Sequence, residues 1–294
     1  MVNRAEIESF YRDFQDRFAS ALEALDGDGR FAVDPWQRAG GGGGDTRILT
    51  DGRHIEKAAV NFSAVHGDTP PQLSERMAAM GDRFYATGVS IIVHPRNPYA
   101  PTFHANVRYF ESGDEAAWFG GGADLTPYYL FEDDARHFHG VLAETCGRHA
   151  AADYPSWKRA CDDYFHLPHR NEARGVGGIF FDHLADDLDG VWAFQQDLAD
   201  HLSDAYLPIL EGRIDTRHGP RETEWHRIRR GRYVEFNLVW DRGTRFGLET
   251  AGRTESILAS LPPQVSFPYG HEPDPGTPES ELLTVLRGPA RTWL

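Results

Sequence analysis

His104, Asn106 and Arg108 stand at alternate positions in residues 102–111. A β-strand sends alternate side chains to one face, so this spacing gathers an imidazole, a carboxamide and a guanidinium on a single surface. The intervening residues, Phe103, Ala105, Val107 and Tyr109, are apolar and belong on the opposite face. The stretch before it repeats the pattern: Val89, Ile91 and Val93 alternate with Ser90, Ile92 and His94. A strand face that only meets water favours Lys, Glu and Thr. His, Asn and Arg in register, followed by a glycine-rich turn at Gly120, Gly121 and Gly122 and then Asp124, read as the lining of a polar pocket.

Arg108, Arg174 and Arg253 lie beside Asn106, a glycine cluster and Gly252. A guanidinium takes carboxylate or phosphate in a forked, two-point geometry. The glycine run 40–44 lacks the Gly-Lys-Ser/Thr of a phosphate loop, so it reads as a flexible loop from which Arg47 could reach an anion. Several arginines without a phosphate loop fit a substrate bearing several carboxylates. Asp124 could hold an N–H donor or act as a base, with a cap on the following helix as the plain alternative. Histidine is the commonest metal ligand, but only His137 and His139 have a close spacing, and on a helix they diverge by roughly 200°. There is no Gly-x-Ser-x-Gly elbow, no activating setting for Cys146 or Cys161, and no dinucleotide fingerprint, so neither a nucleophile nor a nicotinamide or flavin is implied.

These groups need a scaffold. Ile7, Phe10, Tyr11, Phe14, Phe18, Leu22 and Leu25 recur at helical spacing. Residues 48–62 read as two short strands around Asp51-Gly52, with His66 in a loop after them. Residues 73–85 read as a helix stopping near Gly88. Pro95, Pro98 and Pro101 impose an extended loop between the two strands. A helix follows Pro127 with Glu132, Asp133 and Asp134 in its first turn. Residues 156–165 and 197–210 are further helices. A strand at 178–182 follows His169, Arg170 and Arg174. The basic run 227–232 leads to a strand at 233–240, with Arg242, Arg245 and Arg253 in later loops. Thr254 caps a helix at 255–261 that Pro262 stops, and a short helix closes the chain. No linker divides the sequence. A single α+β domain is expected, with a large, mostly antiparallel sheet flanked by helices on both faces.

The net charge of −15 argues against nucleic acid and anionic membrane as partners. No apolar run has membrane-spanning length, and the charged, amphipathic start lacks a signal-peptide core. Two cysteines give no disulfide framework, so the cytoplasm is the default compartment.

Five stretches carry a resemblance over nearly the whole chain: QRAGGGGGDTRIL, GVSIIVHPRNPYAPTFHANVRYFE, WFGGGADLTPYY, HRNEARGVGGIFFD and GRYVEFNLVWDRGTRFGLETAGRTESILASLPP. The chain resembles the oxygen-dependent coproporphyrinogen III oxidases. The resemblance implies oxidative decarboxylation of two propionates of coproporphyrinogen III to vinyl groups, giving protoporphyrinogen IX, with O₂ as co-substrate and no flavin, haem or nicotinamide. It implies substrate contacts at Ser90, Asn106, Val107, Arg108, Ala251, Gly252 and Arg253, with Ala251 standing where relatives often have Gly. His104 matches a proton donor, and His94, His104, His139 and His169 match ligands of a divalent metal. A homodimer is implied through residues 233–268, which open at Tyr233 and close at Pro268. The rival readings are a histidine-ligated metal oxygenase acting on another polycarboxylate and a non-catalytic porphyrin carrier.

Overall fold

The computed structural model describes residues 2–69, 81–113, 116–249 and 252–294. The strands β1 (Ala32–Gln37), β2 (Gly42–Thr50), β3 (Ile55–Asp68), β4 (Arg83–Pro95), β5 (Thr102–Ser112), β6 (Ala116–Thr126) and β9 (Gly177–Leu184) form one seven-stranded sheet in that order. Every neighbouring pair is antiparallel. A separate two-stranded ribbon pairs β7 (His166–Leu167) with β8 (Glu172–Ala173). The α+β class and the antiparallel sheet are those read from the sequence.

One face of the sheet is the main core. Helix α1 (Arg4–Asp26) buries Ile7, Tyr11, Phe14, Phe18 and Leu22, and Asn3 caps its start by accepting from the Ala5 amide. Helices α2 (Glu132–Gly147), α3 (Tyr154–Tyr164) and α4 (Leu188–Arg213) complete this layer. Phe103 shows the interdigitation, stacked on Phe18 at 5.9 Å and on Tyr206 at 4.6 Å. The alternation of β4 and β5 is as expected: Val89, Ile91, Val93, Phe103, Ala105, Val107 and Tyr109 all lie in this core.

The second face is covered only in part. Helix α5 (Pro220–Glu235) runs into a π-helical turn at Phe236–Trp240, then α6 (Arg242–Glu249) and α7 (Thr254–Leu258). Tyr233 packs with Ala59, Ile92 and Ala259, and Arg230 reaches the Pro95 carbonyl at 2.8 Å and pairs with Glu56. Helix α8 (Pro278–Arg287) packs Leu282, Leu283 and Leu286 against Tyr128 and Trp225.

Several local expectations are corrected. Residues 233–240 are not a strand. Their aromatic and β-branched composition suits one, but Trp225, Ile228, Arg229, Arg232, Tyr233, Phe236 and Asn237 are all buried at helical spacing, and tertiary burial overrides propensity. The run 227–232 accordingly lies on α5, with Arg229, Arg230 and Arg232 buried. Gly120, Gly121 and Gly122 lie inside β6 and form no turn. Gly42, Gly43 and Gly44 lie inside β2, where a Cβ on Gly42 would collide with the Ala64 carbonyl. His66 is on β3. Of the expected helix 73–85, residues 73–80 lie outside the described residues, and Arg83, Phe84 and Tyr85 are strand. Arg242 and Arg245 are on α6. Arg253 takes the N-cap position expected of Thr254, and its side chain makes no capping hydrogen bond.

Candidate active site

The half-covered face carries three rows of side chains set by register. In one row His104 lies directly opposite Asp124, with Ile92 on its other side. In the next, Asp34, Thr46, Asn61, Ser90, Asn106 and Gly122 follow one another across β1 to β6. In the third, Gly88, Arg108 and Gly120 are neighbours. Directly opposed residues on antiparallel strands share a face at contact distance. The polar set read from the sequence is thus assembled by strand pairing.

At the base sits a buried ion pair, Asp124 with Arg174, with the part-exposed His104 bonded to it. His104 Nδ1 lies 2.7 Å from Asp124 Oδ1. Arg174 Nη2 reaches both Asp124 oxygens, at 2.8 and 2.7 Å. Arg174 enters from the residue after β8, with its amide bonded to the Phe165 carbonyl at 2.8 Å. Its guanidinium lies 3.9 Å from the Phe165 ring and 4.8 Å from each of the Tyr233 and Phe236 rings, and its Nη1 donates to Asn237 at 3.2 Å. Both charged side chains are about 2–3% exposed, while His104 is 21% exposed. Burial by itself would raise the Asp124 carboxyl. The Arg174 charge and the His104 hydrogen bond outweigh it, and the group is held below its ordinary value. Asp124 is therefore an anion at neutral pH, not the helix cap of the plain alternative, since α2 starts beyond it with Phe131 as N-cap. A His104 that donates Nδ1–H to this anion presents Nε2 to the open face.

Above these three residues the face opens. Ser90 is exposed, and Asn106 and Arg108 are half-buried. Arg108 Nη1 donates to Asn106 Oδ1 at 2.6 Å, and its Nη2 lies 3.1 Å from Asp182. Val107 turns its side chain into the core, so only its backbone belongs to this face. At the far end of the row Arg253 pairs with Asp34. The segment after it is latched over β2–β4: Ser256 Oγ lies 2.7 Å from Thr46 Oγ1, Asn61 donates to the Ser256 carbonyl at 3.3 Å, and Lys57 donates to the Leu261 carbonyl at 2.8 Å. The Gly252 amide bonds the Gly247 carbonyl at 2.8 Å. Ala251 lies outside the described residues.

Residues 6–293 match the family model described as coproporphyrinogen III oxidase. The chain belongs to the coproporphyrinogen III oxidase family. That family is one of oxidoreductases of porphyrin and haem biosynthesis, with a tetrapyrrole as substrate. No helix among the described residues is long and apolar enough to cross a membrane.

The four histidines expected to bind metal are not brought together. His94 is buried, with Nδ1 3.1 Å from Thr102 Oγ1 and Nε2 donating to the Ser260 carbonyl at 2.9 Å. His139 is on the core-facing side of α2, with Nδ1 on the Tyr154 hydroxyl at 2.8 Å and Nε2 on the Val176 carbonyl at 3.0 Å. His169 accepts from Trp240 Nε1 at 2.9 Å and bonds Glu235 at 2.8 Å. Only His104 keeps a nitrogen facing the open surface. Among the described residues no group of three or more His, Cys, Asp or Glu is arranged as ligands. The expected set does not fit a shared metal centre.

Arg47 is likewise committed, to Asp16 and Asp45, on the α1 side of the sheet. Asn61, Phe165, Asp182 and Asn237 were missed as site residues. Asn61 was legible as the polar alternate of residues 58–64. Phe165 and Asn237 join the site only through tertiary packing, which local sequence does not display.

Proposed function

We propose that this enzyme is the oxygen-dependent form, decarboxylating two propionates of coproporphyrinogen III to vinyl groups and delivering protoporphyrinogen IX. Each step balances as one propionate, one O₂ and one proton giving a vinyl group, CO₂ and hydrogen peroxide. The carbon adjacent to the ring loses hydrogen with its electron pair, the carboxylate leaves as CO₂, and O₂ takes up two electrons. The observation that carries this reading is the cross-strand pair His104–Asp124, set beside Asn106 and Arg108 on an open face.

In this reading Arg108 holds a propionate through its free N–H groups, assisted by Asn106 and Ser90, and Arg253 takes a second carboxylate at the β1 end of the row. Four inter-strand steps of about 4.8 Å separate Asp34 from Asn106, about 19 Å in all, which suits a wide ring with carboxylates on its rim. Asp124, with both oxygens occupied, serves as a fixed anion beneath His104 at the base of the site. Its lowered proton affinity suits charge stabilisation better than proton uptake, so the proton moves at His104 Nε2, with Asp124 orienting the imidazole. Arg174, embedded in Phe165, Tyr233 and Phe236, keeps Asp124 ionised. No step is assigned to a metal.

The rest of the reading is structural. Leu238, Val239, Trp240, Leu248 and Phe267 are large apolar side chains left exposed within residues 233–268, which supports that segment as the homodimer contact. A cytoplasmic location agrees with two free, buried cysteines.

The direct test is anaerobic incubation with coproporphyrinogen III followed by admission of air. Vinyl product and CO₂ should appear only after air enters. Turnover under strict anaerobiosis with another electron acceptor would overturn the oxygen-dependent assignment.

A further inference from the structure

We infer that Asp182, acting across Gly120, is the positioning residue that aims Arg108 at the substrate carboxylate. The inference rests on the reading of Arg108 as a carboxylate ligand. Strand β9 pairs with β6 regularly up to Phe181 opposite Gly121, and then slips, so that Leu184 lies opposite Phe119. Asp182 and His183 together therefore oppose the single Gly120, which is a β-bulge. Bulges re-aim a side chain beside a site. His183 takes φ +55°, outside the usual range for a residue with a side chain, and its ring stacks on Trp118 with centroids 5.1 Å apart and planes 12° apart. Trp118 stacks in turn on Phe110 at 4.5 Å, and Phe110 on Phe84 at 6.0 Å. This ladder of rings fixes the bulge, and the bulge fixes Asp182.

The consequence falls on Arg108. Its guanidinium is held at one end by Asn106 and at the other by Asp182, each through a single nitrogen. Arg174 on Asp124, by contrast, is closed on both oxygens. Arg108 is thus oriented but not saturated, since five N–H donors are available to a guanidinium. Gly120 supplies the floor. A Cβ there would lie 2.6 Å from Asp182 Oδ1 and 2.8 Å from Arg108 Nε, so the arginine can lie flat only where no side chain rises beneath it. The obstructing atoms are side-chain ends, so the fold can absorb a methyl group and the ion pair must move.

Steady-state kinetics on the full chain with coproporphyrinogen III test this. Asp182→Ala should raise KM roughly fivefold with kcat within about twofold, the scale of one part-exposed ion pair. Asp182→Asn should recover most of the loss, because its carboxamide oxygen still accepts from Nη2. Gly120→Ala should reproduce Asp182→Ala, and adding Asp182→Ala to Arg108→Ala should cost nothing further. An unchanged KM in Asp182→Ala and Gly120→Ala, alongside a raised KM in Arg108→Ala, overturns the positioning role. An unchanged KM in Arg108→Ala itself overturns the underlying assignment of Arg108.

Discussion

Arg174 closes on both oxygens of Asp124, at 2.8 and 2.7 Å, inside a wall of three aromatic rings. Taking one partner from such a buried pair leaves an uncompensated charge, which costs far more than the pair's net contribution. Asp124→Ala and Arg174→Ala should each lower folding stability by roughly 3–5 kcal/mol, read from urea denaturation. The double variant should cost clearly less than the sum of the two. Additive losses would show that the two residues are not coupled.

His104 faces the open surface while its Nδ1 is occupied by Asp124. A proton-handling role therefore places its effect on kcat. His104→Gln should lower kcat by about 10²–10⁴-fold and leave KM nearly unchanged. A loss confined to KM would make His104 a binding group instead.

How much of this could be read from the chain depends on how local each determinant is. The faces of β4 and β5 follow from strict alternation, which sets His104, Asn106 and Arg108 on one side of β5 and Ser90 on the side opposite Val89 and Ile91 on β4; the register that brings Ser90 beside Asn106 comes only from pairing. Asp124 stands out by its glycines, yet those glycines are strand and not turn: Gly120 lies under Arg108 on the open face, while Gly121 makes room for the Phe181 ring in the core. Residues 233–240 have the composition of a strand, but they are helical because the burial of Tyr233 and Phe236 against Arg174 and Phe165 is decided by distant residues. Asp182 was invisible for the same reason: its role comes from a register slip between β6 and β9. The metal expectation came from the resemblance alone, and the partners of His94, His139 and His169 became visible only in three dimensions.

Those partners make a prediction about chelation. With both nitrogens of His94, His139 and His169 bonded within the protein, dialysis against a strong chelator should leave turnover within about twofold of the untreated enzyme. Elemental analysis of the same sample checks that metal has gone. Activity lost on dialysis and restored by one divalent ion would place a functional metal on a different donor set.

His139 also sets a pH dependence. Burial is the largest cause of its lowered proton affinity, bringing it from 6.5 to about 4. His94, fully buried, is shifted in the same direction by burial and by the Arg230 charge. The unfolded chain thus takes up a proton near pH 6.5 that the folded chain refuses until about pH 4. Stability from this source is complete above pH 6.5 and falls as pH drops through that window, by about 3 kcal/mol for His139 alone. Asp124, whose proton affinity is lowered from 3.8, acts only at more acid pH. Urea midpoints at pH 7.5, 6.0 and 5.0 should decline steadily, and His139→Gln should flatten the decline. An equally steep decline in that variant would assign the effect elsewhere.

The apolar surface beyond α5 yields the last prediction. Leu238 and Val239 are 45% and 51% exposed in the π-helical turn, and Phe267 is 57% exposed. Trp240 is anchored to His169, and His169 with Arg170 to Glu235. These bonds hold Glu235 ionised, at about 2, against the opposing effect of its burial. The patch is therefore backed by an ion-pair network. A contact through it would be apolar at its centre and charged at its rim, the usual anatomy of a stable interface. Leu238→Asp combined with Val239→Asp places two charges at that centre without touching His104, Asp124 or Arg108. Light scattering should show a dimer for the wild type and a monomer for the double variant, with the far-ultraviolet circular dichroism unchanged. A variant that remains dimeric would move the contact to another face.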